Sequence, residues 1–109
     1  MRHTDAFLNQ LRQAAGKNII FLPHAISQMS RPDRMITARE VRLVVEKGEI
    51  IEDYPEDKRG HSCLMLGRAI GDRAIHVVCT PTEDFVAIIT AYIPSESEWE
   101  NGFRERRKL

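Results

Sequence analysis

Histidine 76 stands inside a run of strand formers, Ile75-His76-Val77-Val78, and is the side chain in this sequence most suited to proton chemistry. Imidazole titrates unassisted near neutral pH, so on a rigid strand it can serve as an acid or a base. A second apolar run, Ile89-Thr90-Ala91-Tyr92-Ile93-Pro94, offers a hydroxyl and a phenol at alternate positions, which on a strand share one face. If Gly71 and Asp72 form a two-residue hairpin turn, Gly67 falls opposite His76 and leaves open space beside the imidazole. Cys63, Met65, Gly67, His76, Val78 and Thr80 then share a face. Pairing Thr80 with Val86 places Thr90 beside His76 and Tyr92 just beyond, a cluster that a one-residue slip would part. His24, at a helix start, could add a second imidazole from the layer above. The same residues also suit a structural use: a strand histidine hydrogen-bonded in place, two good strand formers, and a histidine capping its helix.

Other chemistries find less support. His76 and Cys79 are three apart on a strand and project to opposite faces, and no zinc-type Cys/His spacing occurs, so neither metal nor cofactor is expected. Gly67 and Gly71 are isolated and make no phosphate loop. Cys63 and Cys79 lie in apolar runs, which favours buried, inert thiols.

The elements that must position these residues follow from periodicity. Thr4 and Asp5 can cap a first helix with Phe7, Leu8, Leu11, Ala14 and Ala15 on one side, stopped near Gly16. Residues 18–22 form a short apolar run, a strand or an extended lead-in. Pro23 opens a helix carrying His24, Ile26 and Met29, which Pro32 ends. Thr37-Ala38-Arg39-Glu40 is a capping box, with Ala38, Val41, Val44 and Val45 as the buried stripe and Gly48 as the stop. The period then changes to two, predicting strands over 49–54, 62–70, 74–80 and 85–93, with the acidic, then basic, tail frayed or in a short helix near Trp99. Helices followed by an antiparallel meander of four strands make an α+β domain.

At 109 residues the chain is one domain with a single core. Its 42% hydrophobic and 29% charged residues are ordinary for a globular protein, no apolar run could span a bilayer, and no signal-peptide core follows the N-terminus, so a cytoplasmic location is expected. Sixteen basic residues balance sixteen acidic ones. The charges are nevertheless segregated: acids crowd 49–57 and 83–100, while bases gather at Arg31, Arg34, Arg39, Arg42, Lys58, Arg59, Arg68, Arg73 and 104–108. Such blocks suit a solvated surface or a basic face for a polyanion.

Three stretches carry a family pattern: His24-Ala25; Arg34-Met35-Ile36-Thr37; and Gly48-Glu49-Ile50-Ile51-Glu52-Asp53-Tyr54-Pro55. With Ser62-Cys63-Leu64-Met65-Leu66-Gly67-Arg68, Ile75-His76-Val77-Val78 and Ile88-Ile89-Thr90-Ala91-Tyr92-Ile93-Pro94, they resemble a bacterial family, domain of unknown function 4258. The resemblance covers residues 22–99 in order and spacing, leaving a first helix (1–17) and a basic tail (100–109) outside. That family is similar to the RelE/ParE-like and BrnT-like toxins of bacterial toxin–antitoxin pairs. The resemblance implies a RelE-like fold, two or three N-terminal helices packed on a twisted, mainly antiparallel four-stranded sheet. It also implies metal-independent ribonuclease chemistry, in which a ribose 2′-hydroxyl attacks the adjacent phosphate with help from a base, an acid and a cation. His76 would be the main acid–base group, His24 its partner or a phosphate contact, and Arg34 the cation. Thr90 and Tyr92 would orient or stack. RNA and an antitoxin protein are the partners implied, and the edge strand 49–54 could pair with an antitoxin or a second copy. The alternative is a non-catalytic binding module of the same fold, a degenerate toxin or a regulator recognising a protein partner.

Overall fold

The apolar stripe Phe7, Leu11, Ala14 and Ala15 becomes the buried face of helix α1 (His3–Lys17) in the computed structural model, which describes residues 3–108 and the side chains of 5–108. The Thr4 side chain, an expected cap, lies outside the described residues. The helix runs one residue past Gly16, and Asn18 closes it, its amide bonding the Ala14 carbonyl at 3.1 Å. Residues 19–21 then settle the open question of residues 18–22: they form strand β1 (Ile19–Phe21). Helix α2 (Pro23–Met29) starts at its proline and buries Ala25 and Met29. Helix α3 (Ala38–Lys47) has the full capping box, with Thr37 Oγ1 accepting from the Glu40 amide at 3.1 Å and the Glu40 carboxylate accepting from the Thr37 amide at 3.0 Å. Its buried stripe includes Glu40 in place of Ala38, which is exposed.

Strands β2 (Glu49–Tyr54), β3 (Ser62–Arg68), β4 (Ala74–Pro81) and β5 (Val86–Tyr92) complete a sheet in the order β1-β5-β4-β3-β2. Among the described residues the architecture is α+β, with three α-helices and a mixed sheet of five strands rather than an antiparallel one of four. The fifth strand arises because β1 pairs parallel with β5, Ile19 opposite Val86 and Phe21 opposite Ile88, satisfying the backbone of that edge. No helix among the described residues is long and apolar enough to cross a membrane.

The helices share one core with one face of the sheet: Cys63, Met65, Ile75, Val77, Cys79, Val86, Ile88 and Ala91 pack with Leu11, Val41, Val44 and Val45. Gly67 belongs to this side. A Cβ there would lie 2.8 Å from Val44 Cγ2 and 3.0 Å from Val44 Cα, so the missing side chain lets α3 rest directly on β3. The space expected beside His76 is therefore taken by α3 on the opposite face. Gly67→Ala should lose about 2 kcal/mol of stability through overpacking, read as a shift in the urea midpoint at constant m.

The register differs from expectation for two local reasons. The Ala69 amide bonds the Arg73 carbonyl at 3.0 Å, closing a wider turn that includes Gly71 at φ 75°, so Leu66 and not Gly67 sits opposite His76. One residue of slip exchanges the faces. In β5 a bulge leaves Ile89 without a partner, since Cys79 faces Ile88 while Val78 faces Thr90. The alternation changes phase there: Val86 and Ile88 enter the core, yet Thr90 and Tyr92 face away from it. As a result Tyr92, not Thr90, stands directly opposite His76.

The tail neither frays nor coils into a helix. It forms a small hairpin of β6 (Trp99–Glu100) and β7 (Glu105–Arg106), turned through Asn101, Gly102 and Phe103, all at positive φ.

Candidate functional site

The sheet face away from the helices is where His76 projects, and residues 94–108 form a strap across it. Trp99 is buried in the strap, its ring edge-on to the imidazole with centroids 4.4 Å apart. His76 is 0% exposed. Its Nε2 lies 2.9 Å from the Phe103 carbonyl oxygen and its Nδ1 lies 3.1 Å from the Tyr92 hydroxyl. A carbonyl can only accept, so Nε2 carries the hydrogen. Burial lowers the histidine's pKa, with the Phe103 carbonyl and Glu52 pulling upward and Arg106 downward. The neutral ring thus has one tautomer: Nε2–H donating to Phe103, Nδ1 accepting from Tyr92. Burial also pushes the Tyr92 phenol up, against the opposing charges of Arg106 and Arg34.

Beside this pair, Arg106 in β7 forks onto Glu52 in β2 at 2.8 and 3.0 Å and lies 4.7 Å from the Trp99 ring centre. The Tyr54 hydroxyl donates to the same carboxylate. Burial would raise Glu52, but the Arg106 and Tyr54 hydrogen bonds outweigh it and hold its pKa below the usual value. Burial and the Glu52 hydrogen bond push the Tyr54 phenol up to about 12. Farther along, Arg104 pairs with Glu49 at 2.7 Å and Arg107 Nε donates to the Glu96 carbonyl at 2.6 Å. Two arginines of the tail therefore fasten to two acids of β2.

The five candidates do not form one cluster. His76 and Tyr92 are in contact; Thr90 shares their face two residues on, opposite Val78 and half-buried. His24 is exposed in the first turn of α2, which packs against β5. Arg34 donates Nη1 to Gln28 Oε1 at 2.6 Å. Among the described residues no three His, Cys, Asp or Glu side chains converge so as to hold a metal ion. Cys63 and Cys79 are cross-strand neighbours, both buried, and the contact between them together with burial raises the Cys79 thiol far above its usual range.

Sequence reasoning missed Glu52, Tyr54, Trp99, Phe103 and Arg106. One signal was available: Asn101-Gly102 is among the strongest short-range hairpin signals.

A family model described as a domain of unknown function (DUF4258) matches residues 21–93, more than half of the chain. The chain belongs to this family. No curated protein and no solved structure matches it. The DUF4258 match contains His24, Arg34, His76, Thr90 and Tyr92 and ends at Ile93, so the strap that encloses His76 lies beyond it.

Proposed function

We propose that this DUF4258 domain is a RelE-like binding module, which recognises a partner without transforming it, and that His76 locks the strap to the sheet. The enclosure of His76 supports this reading. A general acid or base must reach a substrate proton directly or through one water. Here the Nε2 hydrogen is held by Phe103, the Nδ1 lone pair by Tyr92, and the ring is shut beneath Trp99.

A second reading is a metal-independent ribonuclease toxin that works with the strap lifted. The gathering of His76, Tyr92, Tyr54 and Glu52 beneath a tail held partly by exposed ion pairs favours it. In that state His76 and His24 would share acid–base work, Arg34 would meet the phosphate, and Thr90 and Tyr92 would orient the ribose or stack on a base. An antitoxin would be its natural partner. The β2 edge is the place for strand addition by an antitoxin or a second copy, although its bulge between Ile50 and Glu52 and its charged pairs guard it.

Incubation with RNA in EDTA separates the readings. Wild type, His76→Ala and the strap-loosened Arg106→Ala should all leave RNA intact while remaining folded. EDTA-resistant cleavage by wild type or Arg106→Ala, abolished by adding His76→Ala, would replace the binding reading with the ribonuclease.

A further inference from the structure

At the end of the sheet nearest the strap's turn, a cleft of about 400 Å³ opens between the C-terminus of α3, the start of β2 and the end of β3. Lys47, Arg68 and Arg104 line it with Leu43, Gly48, Glu49, Leu66 and Gly67. Its charge is unbalanced: three cations from three separate elements meet one carboxylate, and that carboxylate is already paired with Arg104.

Compensation of the α3 C-terminus is the plain use for a lysine at position 47. Another residue already fills that role. Arg12 donates to the Val45 carbonyl at 3.2 Å and to the Gly48 carbonyl at 2.8 Å. Lys47 is exposed, and Arg39 stands two turns earlier on the same stripe, about 12 Å along the helix axis. Arg39, Leu43 and Lys47 thus form a cationic track leading into the cleft. At its other end Arg68 lies 5.8 Å from the centre of the half-exposed Phe103 ring.

The floor is shaped by close backbone approach. A Cβ on Gly48 would come within 2.5 Å of the Leu66 and Val44 carbonyl oxygens, so glycine allows the end of α3 to meet β3 there. Leu66 also stands opposite His76, and the cleft therefore adjoins the strapped face.

We propose that this cleft, with its Arg39–Lys47 track, binds the phosphodiester backbone of single-stranded nucleic acid, a base stacking on Phe103. A cationic groove beside an aromatic platform is the general solution for strands without base pairing, and it names the ligand of the binding module proposed above. A single small anion would use the cleft and leave the track and the ring idle. Arg104 would exchange Glu49 for a phosphate on binding, coupling occupancy of the cleft to the strap.

Fluorescence anisotropy with labelled ten-nucleotide probes tests this, one of 2′-O-methyl RNA and one of DNA. The 2′-O-methyl probe lacks the attacking hydroxyl, so binding is read whether or not the protein can cleave RNA. Wild type should bind with log affinity falling against log salt at a slope of about −2 to −3. Lys47→Ala/Arg68→Ala should weaken binding about tenfold and flatten the slope by more than one unit. Lys58→Ala, an exposed cation outside the cleft, should change affinity less than twofold. Phe103→Leu should weaken binding while leaving the salt slope unchanged, as loss of stacking would. A preference for the 2′-O-methyl probe assigns the site to RNA, and equal binding assigns it to either polynucleotide. No binding by wild type at low salt, or equal losses in Lys58→Ala and the double variant, would overturn the proposal. Neither result touches the cleavage test, and cleavage of unmodified RNA would not overturn the cleft.

Discussion

Trp99→Ala is expected to destabilise the protein by about 3 kcal/mol, as loss of a buried indole commonly does, and to return His76 to ordinary titration. Trp99 is 4% exposed and is the side chain through which the strap packs on the imidazole. Its loss opens a path for water to Nε2 and weakens the hold of the Phe103 carbonyl. Burial is the principal cause of the lowered His76 pKa, so hydration should raise it toward about 6.5. The stability effect has a defined pH dependence. A histidine kept neutral in the folded state contributes stability that is fully present above its unfolded pKa and declines as pH falls below about 6.5 toward the folded value. Wild type should therefore lose stability on acidification through this window, and Trp99→Ala should lose less. Urea denaturation from pH 7.5 to 5 would measure the difference; parallel pH profiles would show that Trp99 does not control the histidine.

Arg73→Ala should have a comparable cost, about 3 kcal/mol, because it leaves a buried carboxylate without its countercharge. Glu40 is 3% exposed, and Arg73 reaches its two oxygens at 2.9 and 3.2 Å. The same guanidinium donates to the Arg34 carbonyl at 2.6 Å and the Met35 carbonyl at 3.0 Å, binding the connection between α2 and α3 to the start of β4. Lysine cannot reproduce this fork, so Arg73→Lys should recover only part of the loss. Burial acts to raise the Glu40 pKa, but Arg73 and the Thr37 amide prevail and hold it below its usual value. Its contribution is thus fully present above the unfolded carboxylate pKa and is lost as pH falls through the lower folded value. Without Arg73, burial dominates and protonation relieves the penalty, so the gap between wild type and variant should narrow as pH falls. A constant gap from pH 7 to 4 would mean that packing, not charge, sets the value of Arg73.

Signals contained within a few residues were legible in the sequence. Thr37 and Glu40 announced α3 because a capping box is complete within four positions. Pro23 and Pro32 marked the limits of α2 because proline's constraints are intrinsic to the residue. Pairing of distant strands was less legible. Gly71-Asp72 has the composition of a tight turn, but the chain closes from Ala69 to Arg73, and that single step moved Gly67 from beside the imidazole to beneath α3. Ile89 carries no local mark of a bulge, yet the bulge decides which of Thr90 and Tyr92 meets His76. The parallel union of β1 with β5 joins residues more than sixty positions apart and follows from which edge is free, not from Ile19–Phe21 themselves. At the tail, the charge pattern suggested solvation; the Asn101-Gly102 turn and the apolar Trp99 carried the better information. The pairing of Arg104 and Arg106 with Glu49 and Glu52 joins the separated acidic and basic blocks, giving that segregation a structural use within one chain.

The state of the His76 ring is the most direct measure of whether the strap closes this face. Long-range proton–nitrogen NMR on the imidazole, followed from pH 8 to 5, reports tautomer and pKa together. The enclosed arrangement predicts a neutral ring with its hydrogen on Nε2 and a midpoint below about 6.5. A midpoint at or above that value, or a mixture of tautomers as in a free imidazole, would contradict it and return His76 to the surface as an acid–base group.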